Sequence, residues 1–199
     1  MAEGATAKGG EATEPTPAEL THARRVAESK ATVPHAYFES EAADAWPAAP
    51  GELIVAAGLA LRDFPRLNGT YRDAQFELHS RINIGVAMAA ETGLVFPTIQ
   101  DADKKAPEDV AAELTELGRR VGGGEITQPD LSGATFSLAD LSPLGISRAD
   151  LVVNRGQAAI LAVGIRGDSV LTLSLACDNR IVQAPDAAGF LARLSEQLA

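Results

Sequence analysis

Apolar and polar positions change period several times along the chain, and the changes divide it into elements. From Ala18, AELTHARRVAESK spaces Leu20, Ala23 and Ala27 as a helix does, and Pro34 then forces extended backbone at Val33 and opens a strand through VPHAYFESE. Gly51 to Phe64 predicts a helix with Leu53, Ala57, Leu61 and Phe64 on one face, ended by Pro65. INIGVAMAA alternates Ile82, Ile84, Val86 and Met88 with Asn83, Gly85, Ala87 and Ala89, which reads as one strand whose small face something else approaches closely. LVFPTIQ predicts a further strand, placed by its proline at an edge or a bulge. Ala106 to Val121 reads as a helix with Pro107, Glu108 and Asp109 at its start and the glycines from Gly122 to Gly124 at its end. Strands follow at ATFSLA, QAAILAVG and VLTLSLAC, and DAAGFLARLSEQLA closes the chain as an amphipathic helix. Helices and strands mix without regular βαβ repetition, so the expected class is α+β with a mixed or antiparallel sheet.

Composition narrows this picture. Residues 1–17 hold small, charged and turn-forming types that cannot bury enough apolar area to order themselves, and they read as a flexible tail before one domain over 18–199. A net charge of −10 without long Lys/Arg runs argues against nucleic acid and anionic membrane surfaces as partners. No apolar stretch reaches membrane-spanning length, and the start MAEGATAKGG lacks a signal-peptide core, so the expected location is cytoplasmic. The single cysteine, Cys177, excludes a disulfide framework and any multi-cysteine metal site, and no metal is expected.

Several segments, in order, carry a resemblance. They are RRVAESKATVPHAYFESE, FPRLNGTY, INIGVAM with GLVFPTIQDADKK, SGATFSLADLSPLGI, VVNRGQAAILAVG and LTLSLACDNRIVQAPDAAGFLARL. Together they resemble the catalytic core of the 2-oxo acid dehydrogenase acyltransferases, the E2 subunits, which share the chloramphenicol acetyltransferase-like fold. The resemblance covers nearly everything after Ala18. It implies a two-layer α+β domain, a homotrimer with its active site at the seam between subunits, and coenzyme A or an acyl thioester as the donor. Such chemistry needs a base for the attacking thiol or hydroxyl and a donor aimed at the developing oxyanion.

Carried over one position at a time, the motif is degenerate. The family's Asp-His-Arg is here Asp178, Asn179 and Arg180, so Asn179 stands at the base position, and an amide has no basic lone pair at neutral pH. Four residues on, Gln183 precedes Ala184 where the family has Asp or Asn before glycine. Ala139 stands where the family has its Ser or Thr oxyanion donor. Asp178 and Arg180 survive as the motif's scaffold, as do Asn83, Gly85 and Gln157, while the usual Asn-Pro-Pro-Gln turn has become Asn154, Arg155, Gly156 and Gln157. The connector between Asp44 and Gly51 and the hairpin IRGDS are short for the family. No lipoyl or subunit-binding domain is expected before the core and no lipoyl group on this chain, although Asp103, Lys104, Lys105 and Ala106 mimic a lipoylation site.

Replacements for the lost base are His35, after Pro34 on the first strand, and Asp140, beside Ala139. His22 reads as a solvated helix residue, His79 as a loop–strand junction, and Cys177 as a small buried hydrophobe whose neighbouring carboxylate opposes a thiolate. Ser137 points to either face, and Trp46, Tyr37 and Phe38 line either a pocket or a packed seam. The first reading is a reprogrammed homologue that binds an acyl, CoA-type or other small-molecule ligand without acid–base machinery, with a partner enzyme or acyl carrier protein beside it. The alternative is a stand-alone acyl-CoA-dependent acyltransferase acting on a hydroxyl in small-molecule biosynthesis; a third is a catalyst working by shape and orientation alone.

Overall fold

A computed structural model of the chain describes residues 13–42, 49–91, 93–167 and 170–199. The first helix, α1 (Pro17–Thr32), starts one residue before the expected domain boundary. Thr16 and Glu19 close a capping box there: the Glu19 N–H donates to Thr16 Oγ1 at 3.3 Å, and the Thr16 N–H to Glu19 Oε2 at 2.7 Å. The expected tail otherwise falls mainly on residues outside the described ones, as do Trp46, most of the short 44–51 connector, and Asp168 and Ser169 of the IRGDS hairpin.

Prolines set several of the later boundaries. After α1 come β1 (His35–Ala42), α2 (Pro50–Asp63), β2 (Gly69–Arg72), β3 (Gln75–Leu78) and β4 (Ile84–Val86). β5 (Met88–Ala90), β6 (Gly93–Val95), β7 (Thr98–Ile99), α3 (Pro107–Gly122), β8 (Phe136–Asp140), β9 (Ala159–Arg166), β10 (Val170–Asp178) and α4 (Ala184–Leu198) complete the order. Pro50, Pro107 and Pro185 lie in the first turns of α2, α3 and α4, where their missing N–H groups leave nothing unsatisfied.

A six-stranded mixed sheet in the order β1-β10-β9-β8-β4-β7 organises the domain. The β9–β8 and β8–β4 pairs are parallel; the other pairs are antiparallel. One face carries Phe136, Leu138, Leu161, Leu173, Leu175 and Cys177 into a single core with α2, α3 and α4. Phe136 and Phe190 of α4 meet there with ring centroids 5.8 Å apart. The opposite face is made of small residues, among them Ala139, Ala162 and Gly164, and the loop over 145–157 lies across it, packing Val153 and Leu151 on Ile160 and Ala176. Together the helices and the sheet form a two-layer α+β domain.

Two expected strands are broken. The alternation over 82–90 continues through Ala87, but the chain leaves the sheet after Val86, and Met88–Ala90 pairs instead with Gly93–Val95 in a separate hairpin. LVFPTIQ is likewise divided around Phe96 and Pro97, and its second part, β7, is the sheet edge that its proline predicts. The β2–β3 hairpin was not anticipated: Asp73 and Ala74, both at positive φ, turn it, and every residue of β3 is exposed.

A Cβ at Gly164 would lie 2.5 Å from the Ser147 carbonyl oxygen and 2.6 Å from that of Ile146, so the covering loop needs a residue without a side chain there. Gly164→Ala is expected to destabilise the domain by about 1–3 kcal/mol in denaturant unfolding, through backbone displacement. An unchanged midpoint would show that the loop is not packed on β9.

Candidate ligand-binding site

β10 ends in a turn that the sequence determines locally. Asp178 is buried, and its carboxylate accepts from the Arg180 N–H at 3.0 Å, from Nε at 2.9 Å and from Nη2 at 2.6 Å. These charge-assisted bonds to Asp178 push the Arg180 guanidinium above its ordinary pKa. The same guanidinium lies over the Tyr71 ring, 4.5 Å from its centroid, and so ties the β2–β3 hairpin to the turn. The Ile181 and Val182 N–H groups donate to the Asp178 carbonyl, reversing the chain into α4. Asn179 is exposed, and its backbone N–H donates to the Pro34 carbonyl at 2.9 Å, which fixes the turn to the start of β1. Gln183, also exposed, is the N-cap residue of α4, and its N–H donates to Asp186 Oδ2 at 3.3 Å.

Ala139 is buried in mid-β8, opposite Ala162 of β9, which in turn faces Ser174 of β10. That row lies four residues along β10 from Asp178, about 13 Å at roughly 3.3 Å per residue. Within one chain, Asn179 and Gln183 thus share a turn, and Ala139 stands apart from both.

His35 faces Asp178 across β1 and β10, but both of its ring nitrogens are engaged. Nε2 accepts from the Val153 N–H at 3.0 Å, so the ring proton sits on Nδ1, which donates to the Val33 carbonyl at 2.8 Å. No ring nitrogen remains to take a proton from a substrate in this arrangement. Asp140 caps the turn after β8, accepting from both the N–H and the hydroxyl of Ser142 at 3.0 and 2.6 Å, on a row still farther from Asn179 than Ala139 is. Burial, then the charges of Asp178 and Asp186, push the Cys177 thiol well up, which suits a core residue and not a nucleophile. Phe38 packs against the core, whereas Tyr37 stacks on His35 with centroids 6.0 Å apart. Asp103 of the lipoylation look-alike sits in the Ala102–Lys104 turn, paired with Arg62.

The same end of the sheet holds a cleft of about 550 Å³ between α1, the β5–β6 hairpin and the 152–157 turn. Val26, Leu94, Phe96 and Val152 are among its apolar walls, and the rim carries His22, Arg25 and Arg155. Its floor is Ser137, fully buried, whose hydroxyl donates to Gln157 Oε1 at 2.8 Å and accepts from Asn154 Nδ2 at 2.9 Å. The cleft adjoins the 178–180 turn through two bonds: Val153 of its wall is held by His35, and the Asp178 N–H donates to the Ala158 carbonyl beside Gln157. Sequence reasoning gave Ser137 little weight and passed over Arg25 and Arg155. A signal was available, since His22, Arg25, Val26 and Ser29 follow the i, i+3, i+4, i+7 spacing that puts them on one helix face.

A two-layer domain with this sheet order and a ligand-sized cleft beside the last core strand has the chloramphenicol acetyltransferase-like fold. Chloramphenicol acetyltransferase itself superposes with a TM-score of 0.53 at 13% identity, over 88% of this chain and 94% of that one. Residues 52–199 match the family model of the 2-oxoacid dehydrogenases acyltransferase (catalytic domain), and the chain belongs to that family. It is 32% identical over 203 residues to the dihydrolipoyllysine-residue acetyltransferase component 3 of the Arabidopsis thaliana mitochondrial pyruvate dehydrogenase complex, covering 85% of this chain and 38% of that protein. The crystal structure of a probable dihydrolipoamide acetyltransferase from Listeria monocytogenes superposes with a TM-score of 0.90 at 26% identity, over 96% of this chain and 95% of that one. The chain spans about a third to a half of the length of the curated relatives it matches.

Two outcomes follow from this geometry. Replacing His35 with Ala leaves the buried Val153 N–H without its acceptor; a loss of about 1–3 kcal/mol and faster amide exchange over residues 151–157 are expected by hydrogen-exchange mass spectrometry. Cys177 is expected to resist iodoacetamide in the folded protein and to react once unfolded; rapid native alkylation would contradict its burial.

Proposed function

We propose that this chain is a homotrimeric E2-core homologue that keeps a site for an acyl or CoA-type ligand and has lost most of the family's thioester-transfer chemistry. The observation that carries this reading is the 178–180 turn. Asp178 and Arg180 hold it rigidly and Asn179 is tied to β1 through its main chain, yet the side chain presented there is an amide that cannot accept a proton. The candidate replacements give no help, because His35 has both nitrogens engaged and the Asp140 carboxylate is held by Ser142. Ala139 brings no hydroxyl to an oxyanion, and its distance from the turn of its own chain suits a site completed by a neighbouring copy. Exposed Leu20, Phe76, Leu78, Leu94, Leu144 and Ile146 give such neighbours apolar surface to cover.

Without a base, a donor thioester and an acceptor held side by side gain proximity but no help in removing the acceptor's proton. Losing a general base costs roughly 10²- to 10⁴-fold, and losing an oxyanion donor roughly 10²- to 10³-fold. The stand-alone acyltransferase reading would need one of the engaged groups to be released.

The test is acetyl transfer from acetyl-CoA to dihydrolipoamide, with light scattering for the assembly. The unmodified chain is expected to be at least about 10²-fold slower than Asn179→His combined with Ala139→Ser. Fast transfer that survives replacement of His22, His35 and His79 would overturn the reading, and a monomer at micromolar concentration would overturn its trimeric part.

A further inference from the structure

We propose that the cleft beside the 178–180 turn binds a small amphipathic carboxylic acid as the free anion, and that the ligand's carboxylate competes with Glu28 for Arg155. The inference deepens the reading above, since it names the ligand class of the site on which that reading rests.

Three observations carry it. First, the sign of the cleft opposes that of the chain. The protein has 27 Asp and Glu against 17 Lys and Arg, yet among the described residues no carboxylate lines the cleft, and its charged lining groups are Arg25 and Arg155, with His22 beside them. Second, the walls are apolar and the volume of about 550 Å³ falls within the usual range for small-molecule sites. A short acyl chain or ring suits those walls. The Ser137 hydroxyl at the floor donates to Gln157 and accepts from Asn154, so the deep end is neutral and hydrogen-bonded, and the charge lies on the exposed Arg25 and Arg155.

Third, one of the lining arginines makes an exchangeable contact. Arg155 Nη1 on the 152–157 turn reaches Glu28 of α1, at 3.1 Å to Oε1 and 3.2 Å to Oε2. The Arg155 side chain is 74% exposed and that of Glu28 42%, and a pair so exposed to water is weak. An incoming carboxylate anchored by its apolar body replaces Glu28 at little cost and meets the guanidinium in the same paired geometry. Gly156, at φ +82°, turns the backbone directly after Arg155.

Isothermal titration calorimetry on the full chain, with octanoate and its neutral isostere octanamide as probes, tests this. Octanoate is expected to bind at least 10-fold more tightly than octanamide. Arg155→Gln is expected to weaken octanoate at least fivefold and leave octanamide unchanged, whereas Glu28→Gln is expected to tighten octanoate severalfold. Opposite effects from the two members of one ion pair are what competition requires; a merely structural pair would give losses of the same sign. Arg25→Gln, a second exposed substitution, is expected to weaken octanoate as well. Equal binding of the two probes, no binding of either, or weakening by Glu28→Gln would overturn the proposal. Fast acetyl transfer would sink the reading of the previous section and leave these ratios standing, and equal octanoate and octanamide affinities would do the reverse.

Discussion

A carboxylate taken out of water at the end of a core strand has to be answered by a cation, and Asp178 is answered by Arg180 two residues later. Removing either partner would strand a charge, so the pair fixes the backbone between them regardless of what residue 179 is. Three elements depend on that short segment. β1 is attached through the Asn179 N–H, α4 begins from the Asp178 carbonyl, and the β2–β3 hairpin leans on Arg180 through Tyr71. Because the scaffold is held by residues 178 and 180 and by main-chain bonds, the side chain at 179 contributes nothing to it. An asparagine there differs from a histidine in having no group that accepts a proton at neutral pH.

The second constraint is the small-residue face of the sheet. Ala139, Ala162, Gly164 and Ala176 keep that face shallow, which lets the loop over 145–157 come down onto the strands and be held by Ser29 and His35 through Val153. The depth of the cleft is a consequence. Its floor is Ser137 on the sheet, and one wall is the loop that the shallow face admits. His35 therefore belongs to the architecture of the cleft, and its ring lone pair is spent on the N–H of Val153.

Much of this was legible in the chain itself. α2, α3 and α4 bury their apolar stripes and start at their prolines, and the sheet-edge position of Thr98–Ile99 follows from Pro97; in α1 the expected stripe of Leu20, Ala23 and Ala27 is exposed, and the helix turns Ser29 inward instead. The break after Val86 was not legible, because alternation reports which way side chains point and carries no information about which strand a backbone pairs with. β2 and β3 escaped notice for a related reason. β3 faces solvent on both sides, so Gln75 to Leu78 show no core-directed pattern, and the Asp73–Ala74 turn lacks the glycine or asparagine that usually marks a tight hairpin. The degenerate motif was visible because Asn179 sits between two retained neighbours. That both His35 nitrogens are engaged was invisible, since Val153 lies far along the chain and reaches the ring only through the fold.

Net charge describes the chain as a whole and not the lining of its cleft, whose charged side chains are Arg25 and Arg155. A field of many acidic groups is screened over a Debye length of about 8–10 Å, so a cation acts on a ligand at contact distance whatever the net charge of the chain. Arg25 and Arg155 line the cleft, and both are exposed. Transfer chemistry and anion capture make different demands on a site: the first needs a group that releases and accepts protons, the second needs fixed cations and a dry wall. Asn179 brings no proton acceptor to the first demand, and the second would fall to the arginines that line the cleft next to it, so the two proposals rest on different residues.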